Sequence, residues 1–275
     1  MSEIILTRHR GMPAQDGAGV KLTRIINQPS LRYQDPFLML DEFRSDNPND
    51  YIAGFPPHPH RGFVTLTYML AGRMEHNDSV GNTGVVEAGG AQWMKAARGI
   101  IHAEMPKQED GLMWGFQLWI NLPAAEKMSP AEWADYPQNT IPEVQFGASL
   151  VRVIGGEFAA QKGPVQQPGQ QFLMLDARLQ AGAPVGIASA GQGCRLAYVY
   201  QGSVQVNGAT VQRGELLRLA ATGTLELSSD QAAGVIVLAG QPINEPIAQY
   251  GPFVMNTQQE IEQAIGDYQR GRLTA

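Results

Sequence analysis

Two short stretches of this chain hold its densest concentration of metal-donor side chains. Phe55 to Gly62 reads FPPHPHRG and places His58 and His60 one residue apart. Arg98 to Met105 reads RGIIHAEM and places His102 and Glu104 at the same spacing. The whole chain has only five histidines, so three of them fall in these pairs. On an extended strand, residues i and i+2 project from one face, about 6–7 Å apart. If the two strands face each other inside a small barrel, three imidazoles and a carboxylate converge. That donor set suits one borderline divalent ion, namely iron, manganese, cobalt, nickel, copper or zinc, whereas calcium and magnesium want more oxygens. A histidine-rich surface loop and hydrogen-bonded core histidines remain competing readings of the same spacing. His76, in Glu75-His-Asn-Asp78, reads as a solvated hairpin tip, and His9, between two arginines, as surface.

The elements that must position these residues read as strands. Apolar runs are short and bounded by turn formers, among 31 glycines and 18 prolines. Val64 to Leu70 alternates threonine with larger apolar groups. Gly115 to Asn121 sets Phe116, Leu118 and Ile120 on one face and Gln117, Trp119 and Asn121 on the other. Val204–Val206 and Ala209–Val211 flank Asn207-Gly208, a pair suited to the positive φ angles of a type I′ hairpin. Val235–Leu238 is a buried-strand candidate. The one clear helical pattern comes last: Thr257-Gln-Gln-Glu260 has the capping-box form, with Ile261, Ala264, Ile265 and Tyr268 following at helical spacing. The fold class is therefore all-β with a short carboxy-terminal helix.

An internal similarity divides the chain. Tyr68-x-x-x-Gly72 recurs as Tyr198-x-x-x-Gly202, an offset of 130 residues. Residues around Ser129 to Gly147 are rich in Pro, Gln, Asn and acid and read as a linker. We expect two β-domains, residues 1–138 and 139–275. The offset carries His58 and His60 onto Ala188 and Ala190, and every histidine lies at or before position 102, so imidazole chemistry belongs to the first half.

Bulk properties exclude several classes. A net charge of −6 argues against broad phosphate-backbone binding, so no direct nucleic-acid partner is expected. No run of about 18 apolar residues suggests a transmembrane helix, and the amino terminus is a poor secretory signal. The single cysteine, Cys194, cannot form an internal disulfide and reads as inert packing. A cytoplasmic, monomeric protein is the expectation.

These residues carry a family resemblance. HPHRG…TYMLAG resembles the first cupin motif and GG…RGIIHAE the second, with glycines at Gly72, Gly90 and Gly99. Beyond generic cupins, the chain resembles the pirin family along nearly its whole length: DPFLMLDEF (Asp35 to Phe43), FPPHPHRGF (Phe55 to Phe63), QWMKAARGIIHAEMP (Gln92 to Pro106), LWINLP (Leu118 to Pro123) and GPFVMNT (Gly251 to Thr257). The resemblance implies two tandem cupin (jelly-roll) β-barrels. It implies one metal in the amino-terminal barrel, with Fe2+ the leading candidate, held by His58, His60, His102 and Glu104. The carboxy-terminal barrel is implied to lack ligands. One departure stands out: the family usually has a glutamate after HPHRGF, and this chain has Val64.

The family's similarity to quercetin 2,3-dioxygenases implies an oxidoreductase that opens the heterocycle of a flavonol with dioxygen, losing carbon monoxide, with Glu104 as ligand and base. Phe55, Val64 and Trp93, near these motifs in sequence, are the expected pocket-shaping residues. The alternative implied by the family is a metal-dependent, redox-sensing regulator that binds a transcription factor or metabolic enzyme. Lys95, Arg98 and the charges of Lys107–Asp110 would supply its docking surface.

Overall fold

The computed structural model describes residues 4–167, 171–189, 191 and 193–275. These residues form two units. One comprises Met12–Gln28, Pro36–Gln138 and Ile243–Ala275; the other comprises Met1–Gly11, Pro29–Asp35 and Asn139–Pro242. The division expected at 1–138 and 139–275 thus needs correction at both ends. The strand Ile5–Arg10 pairs with Glu215–Leu219, and the carboxy-terminal helix belongs to the unit that holds the histidines. A terminal strand joins whichever sheet edge leaves its backbone donors and acceptors satisfied, and sequence position does not decide that.

Both units have one architecture, a seven-stranded and a four-stranded antiparallel sheet. In the histidine-bearing unit the larger sheet runs, in spatial order, Glu132–Tyr136, Ala91–Lys95, Phe63–Ala71, Met113–Asn121, Phe37–Ser45, Val20–Ile26 and Met12–Asp16. The smaller runs Phe55–His60, Ile100–Pro106, Arg73–Asp78 and Thr83–Glu87. The expected linker is largely ordered: Glu132–Tyr136 and Glu143–Phe146 are edge strands, one in each unit's larger sheet.

Alternation sorts the side chains as expected. Thr65 lies opposite Trp119, and Thr67 opposite Gln117, on adjacent strands. These four share one face, while Val64, Leu66, Tyr68, Phe116, Leu118 and Ile120 fill the other, all of them fully buried. In the second unit Asn207 and Gly208 both adopt positive φ and close the hairpin between Ser203–Val206 and Ala209–Gln212.

The carboxy-terminal segment braces the His-x-His strand. The helix Gln258–Gln269 carries the expected capping box: Thr257 Oγ1 accepts from the Glu260 amide, and the Glu260 carboxylate accepts from that of Thr257. Ile261 and Ala264 are buried, while Tyr268, assigned to the same face from its spacing, is exposed. Arg61, directly after the second histidine, is buried and donates to Asp267 on the helix at 2.8 Å and to the Leu273 carbonyl at 3.2 Å. Gly62 sits at φ +92°, and a Cβ there would fall 1.9 Å from the Val254 carbonyl oxygen; only glycine permits that approach. No helix among the described residues is long and apolar enough to cross a membrane.

Candidate metal centre

The two histidine-bearing strands do not face each other across the barrel, as the spacing argument supposed. They are neighbours in the four-stranded sheet, with His58 directly opposite His102 and His60 opposite Ile100. Adjacent strands lie about 4.8 Å apart, which brings the imidazoles closer than opposed walls would. The ring centroids are 4.6 Å apart for His58 and His60, 4.4 Å for His58 and His102, and 4.9 Å for His60 and His102. One ring nitrogen from each of the three falls within 4.8 Å of the others.

Hydrogen bonding leaves one ring nitrogen of His58 and one of His102 available to an ion. His58 Nδ1 lies 2.9 Å from the Pro56 carbonyl. A carbonyl only accepts, so Nδ1 carries the hydrogen and Nε2 the lone pair. That Nε2 stands 3.0 Å from His60 Nε2, about the separation of two cis ligands on bonds of about 2.1 Å. His102 Nε2 is buried with no hydrogen-bond partner, an arrangement costly in a metal-free core and natural for a ligand. Burial is the main cause that pushes the His60 and His102 imidazoles well below their ordinary value, and neighbouring imidazole charges add to it. Both are therefore neutral at pH 7, the form that ligates. The residues present fit a divalent transition metal.

Glu104 lies on the same strand as His102 and lines a cavity with His58 and His60, but its carboxylate stands outside the three-imidazole cluster. A β-bulge between His102 and Glu104 shifts the register there. Its Oε1 accepts from Thr67 at 3.0 Å and its Oε2 from Gln117 at 2.8 Å. Of the expected pocket residues, Phe55 lines the cavity. Val64 and Trp93 do not: Trp93 pairs with Leu66 and Val64 with Lys95, on the sheet face opposite Thr65 and Thr67. Strand parity corrects both assignments, which rested on nearness in sequence alone. The glutamate-to-valine departure therefore leaves the inner wall untouched.

The cavity has a volume of about 650 Å³, within the range of small-molecule sites. Leu22, Met39, Phe55 and Trp119 form apolar wall, and Trp119 meets the His60 ring edge-on at 5.2 Å. Arg24 and Asp41 also line the cavity. They are cross-strand neighbours joined by two hydrogen bonds of 3.0 and 2.7 Å. Burial pushes the Asp41 carboxyl up to about 6, against the pull of Arg24.

Sequence reasoning missed Arg24, Asp41 and Thr67. It also placed His76 wrongly. Far from a solvated tip, His76 is 1% exposed and lies 3.4 Å from His102 through their Nδ1 atoms. The signal was present: His76-Asn-Asp78 is a third i, i+2 pair of the same kind.

Comparison with known proteins agrees with this geometry. The Pirin family model matches residues 19–120, and the Pirin C-terminal cupin domain model matches residues 174–274. A Pseudomonas aeruginosa protein named "Putative quercetin 2,3-dioxygenase" is 50% identical, covering 98% of this chain and 97% of its own. A pirin-like protein of Caulobacter vibrioides is 45% identical, covering 96% of each chain. A crystal structure of quercetin 2,3-dioxygenase from Acinetobacter baumannii superposes with a TM-score of 0.92 at 31% identity, covering 100% of this chain and 99% of that one. With two cupin barrels and both family models matched in order, this chain belongs to the pirin family.

Proposed function

We propose that this chain is a metal-dependent dioxygenase that opens the heterocyclic ring of a flavonol such as quercetin with release of carbon monoxide. The observation that carries this reading is the convergence of His58, His60 and His102 beside a cavity lined by His58, His60 and Glu104. The similarity to proteins named for that activity adds support. His58, His60 and His102 would hold one divalent first-row metal, iron before manganese, cobalt, nickel, copper or zinc. A bound redox-active ion supplies Lewis acidity toward the substrate hydroxyl and the electron chemistry that dioxygen requires.

The chain's own residues do the rest. Glu104, whose carboxylate stands outside the imidazole cluster, would turn toward the ion as a fourth ligand and take the proton of the flavonol 3-hydroxyl, a role that needs a carboxylate within hydrogen-bond reach of that oxygen. Thr67 and Gln117, one donor to each oxygen, hold the carboxylate in one orientation. Phe55 and Trp119 supply flat apolar wall for an aromatic substrate, and the Arg24–Asp41 pair supplies polar partners for ring hydroxyls.

Oxygen uptake and carbon monoxide release by iron-loaded protein with quercetin test the reading. Turnover that disappears in Glu104→Gln while metal content is retained supports it, and no uptake with any flavonol sinks it. The regulatory alternative loses Lys95, which is buried and ion-paired with Glu132, and keeps the exposed charges of Lys107, Glu109 and Asp110.

A further inference from the structure

Three pairs of i, i+2 donors, not two, point to one face of the four-stranded sheet. Ile100–Pro106 is flanked on one side by Phe55–His60 and on the other by Arg73–Asp78. Across the second seam, Glu104 lies opposite His76, and His102 opposite Asp78. His76 Nε2 lies 3.1 Å from Asp78 Oδ2, with the two side chains 1% and 0% exposed.

We propose that Asp78 and His76 form a positioning pair that sets the tautomer of His102 and strengthens it as a metal donor. The Asp78 carboxylate can only accept. His76 Nε2 therefore carries its hydrogen toward Asp78, and a His76 ring holding that single hydrogen offers its Nδ1 lone pair to His102. His102 Nδ1, at 3.4 Å, donates to that lone pair. The hydrogen of His102 is thereby placed on Nδ1, and the buried, unpartnered Nε2 keeps its lone pair for the ion. A ligating imidazole that donates through its other nitrogen, ultimately to a carboxylate, is a better base and is locked in rotation.

The pair is itself fixed from outside. Asp78 accepts from the amides of Val80 and Asn82, each at 3.0 Å, and from the Asn82 side chain at 2.8 Å. Trp133 stacks on His76 at 5.5 Å and 24°. Gly84, opposite His76, makes room for this: a Cβ there would fall 2.6 Å from the Trp133 ring and 2.0 Å from the Asp135 carboxylate.

The inference rests on the metal reading of the three histidines, and its test separates the two. Nitrogen NMR of histidine-labelled, metal-free protein reads the tautomer directly in the unaltered chain. His102 protonated on Nδ1 is the expected result, and protonation on Nε2 overturns the proposal whatever the protein binds. Cobalt(II) titration against a chromophoric chelator then reads donor strength. His76→Leu, with neither donor nor acceptor, should weaken cobalt binding roughly 10–100-fold and shift the visible cobalt bands. His76→Asn, which keeps an acceptor near the Nδ1 position, should recover most of that loss. A folded His76→Leu that binds cobalt within threefold of wild type overturns the positioning role and leaves the metal reading intact. Wild-type protein that takes up no cobalt overturns the metal reading.

Discussion

The two four-stranded sheets have the same strand order, and their registers can be compared position by position. In the first, His102 lies opposite His58, and Glu104 opposite His76. In the second, Leu225 lies opposite Ile187, and Leu227 opposite Val206. The chemistry-bearing positions of one barrel are thus leucine, isoleucine and valine in the other, each at most 2% exposed. One interior is a cavity that can take up an ion and a small molecule; the other is packed hydrocarbon, contributing about 25 cal/mol for each Å² buried. The topology accommodates either filling, so the function of this fold resides in its side chains.

The sharpest way to break the comparison is to cut both barrels at one register position. His102→Ala should weaken metal binding roughly 100-fold or more, measured by elemental analysis after dialysis. Leu225→Ala should leave metal content at the wild-type value while lowering stability by about 2–5 kcal/mol in urea denaturation, because it opens a cavity in a close-packed core. Equal metal loss in both variants would erase the distinction.

The next effect concerns the carboxy-terminal segment, which lies in the histidine-bearing unit. Asp267→Ala leaves the buried Arg61 guanidinium without its carboxylate and should cost about 2–3 kcal/mol. Thr257→Ala removes the helix cap and should cost about 1 kcal/mol. Both should loosen the His-x-His strand, seen as faster release of bound metal to a chelator.

The smallest effect is expected at Cys194. Burial, opposed by Arg218 and aided by Asp35, pushes its thiol up to about 12 from an ordinary 9. The folded state therefore holds this proton more tightly than the unfolded chain does. That contribution to stability is complete below pH 9 and is lost as pH rises from 9 toward 12. Iodoacetamide at pH 8 should leave the native thiol unmodified and label it fully in urea; rapid native labelling would show the residue to be reactive.

Much of this was legible locally. The i, i+2 spacing of His58 with His60, and of His102 with Glu104, fixes which side chains share a face, because alternation follows from the covalent geometry of an extended chain. The capping box at Thr257 and the Asn207-Gly208 turn are legible for the same reason, each depending on four or fewer consecutive residues. The 130-residue offset found the second barrel but not its strand positions. It set Ala188 against His58, just beyond the short strand Val185–Ile187, and Ala190 lies outside the described residues. Val64 and Trp93 failed as pocket residues because nearness in sequence says nothing about which sheet face a residue occupies.

By itself, then, the amino-acid order determined the β-class, the paired donors and their common direction, all consequences of short-range stereochemistry. Which strands became neighbours was decided only by tertiary pairing, whose hydrogen bonds join segments tens to hundreds of residues apart. That pairing set the histidine strands side by side, brought His76 and Asp78 in behind them, joined Arg24 to Asp41, and returned the final helix to the first barrel. No local pattern encodes such adjacency, because it depends on which sheet edges remain to be satisfied once the rest of the chain has folded.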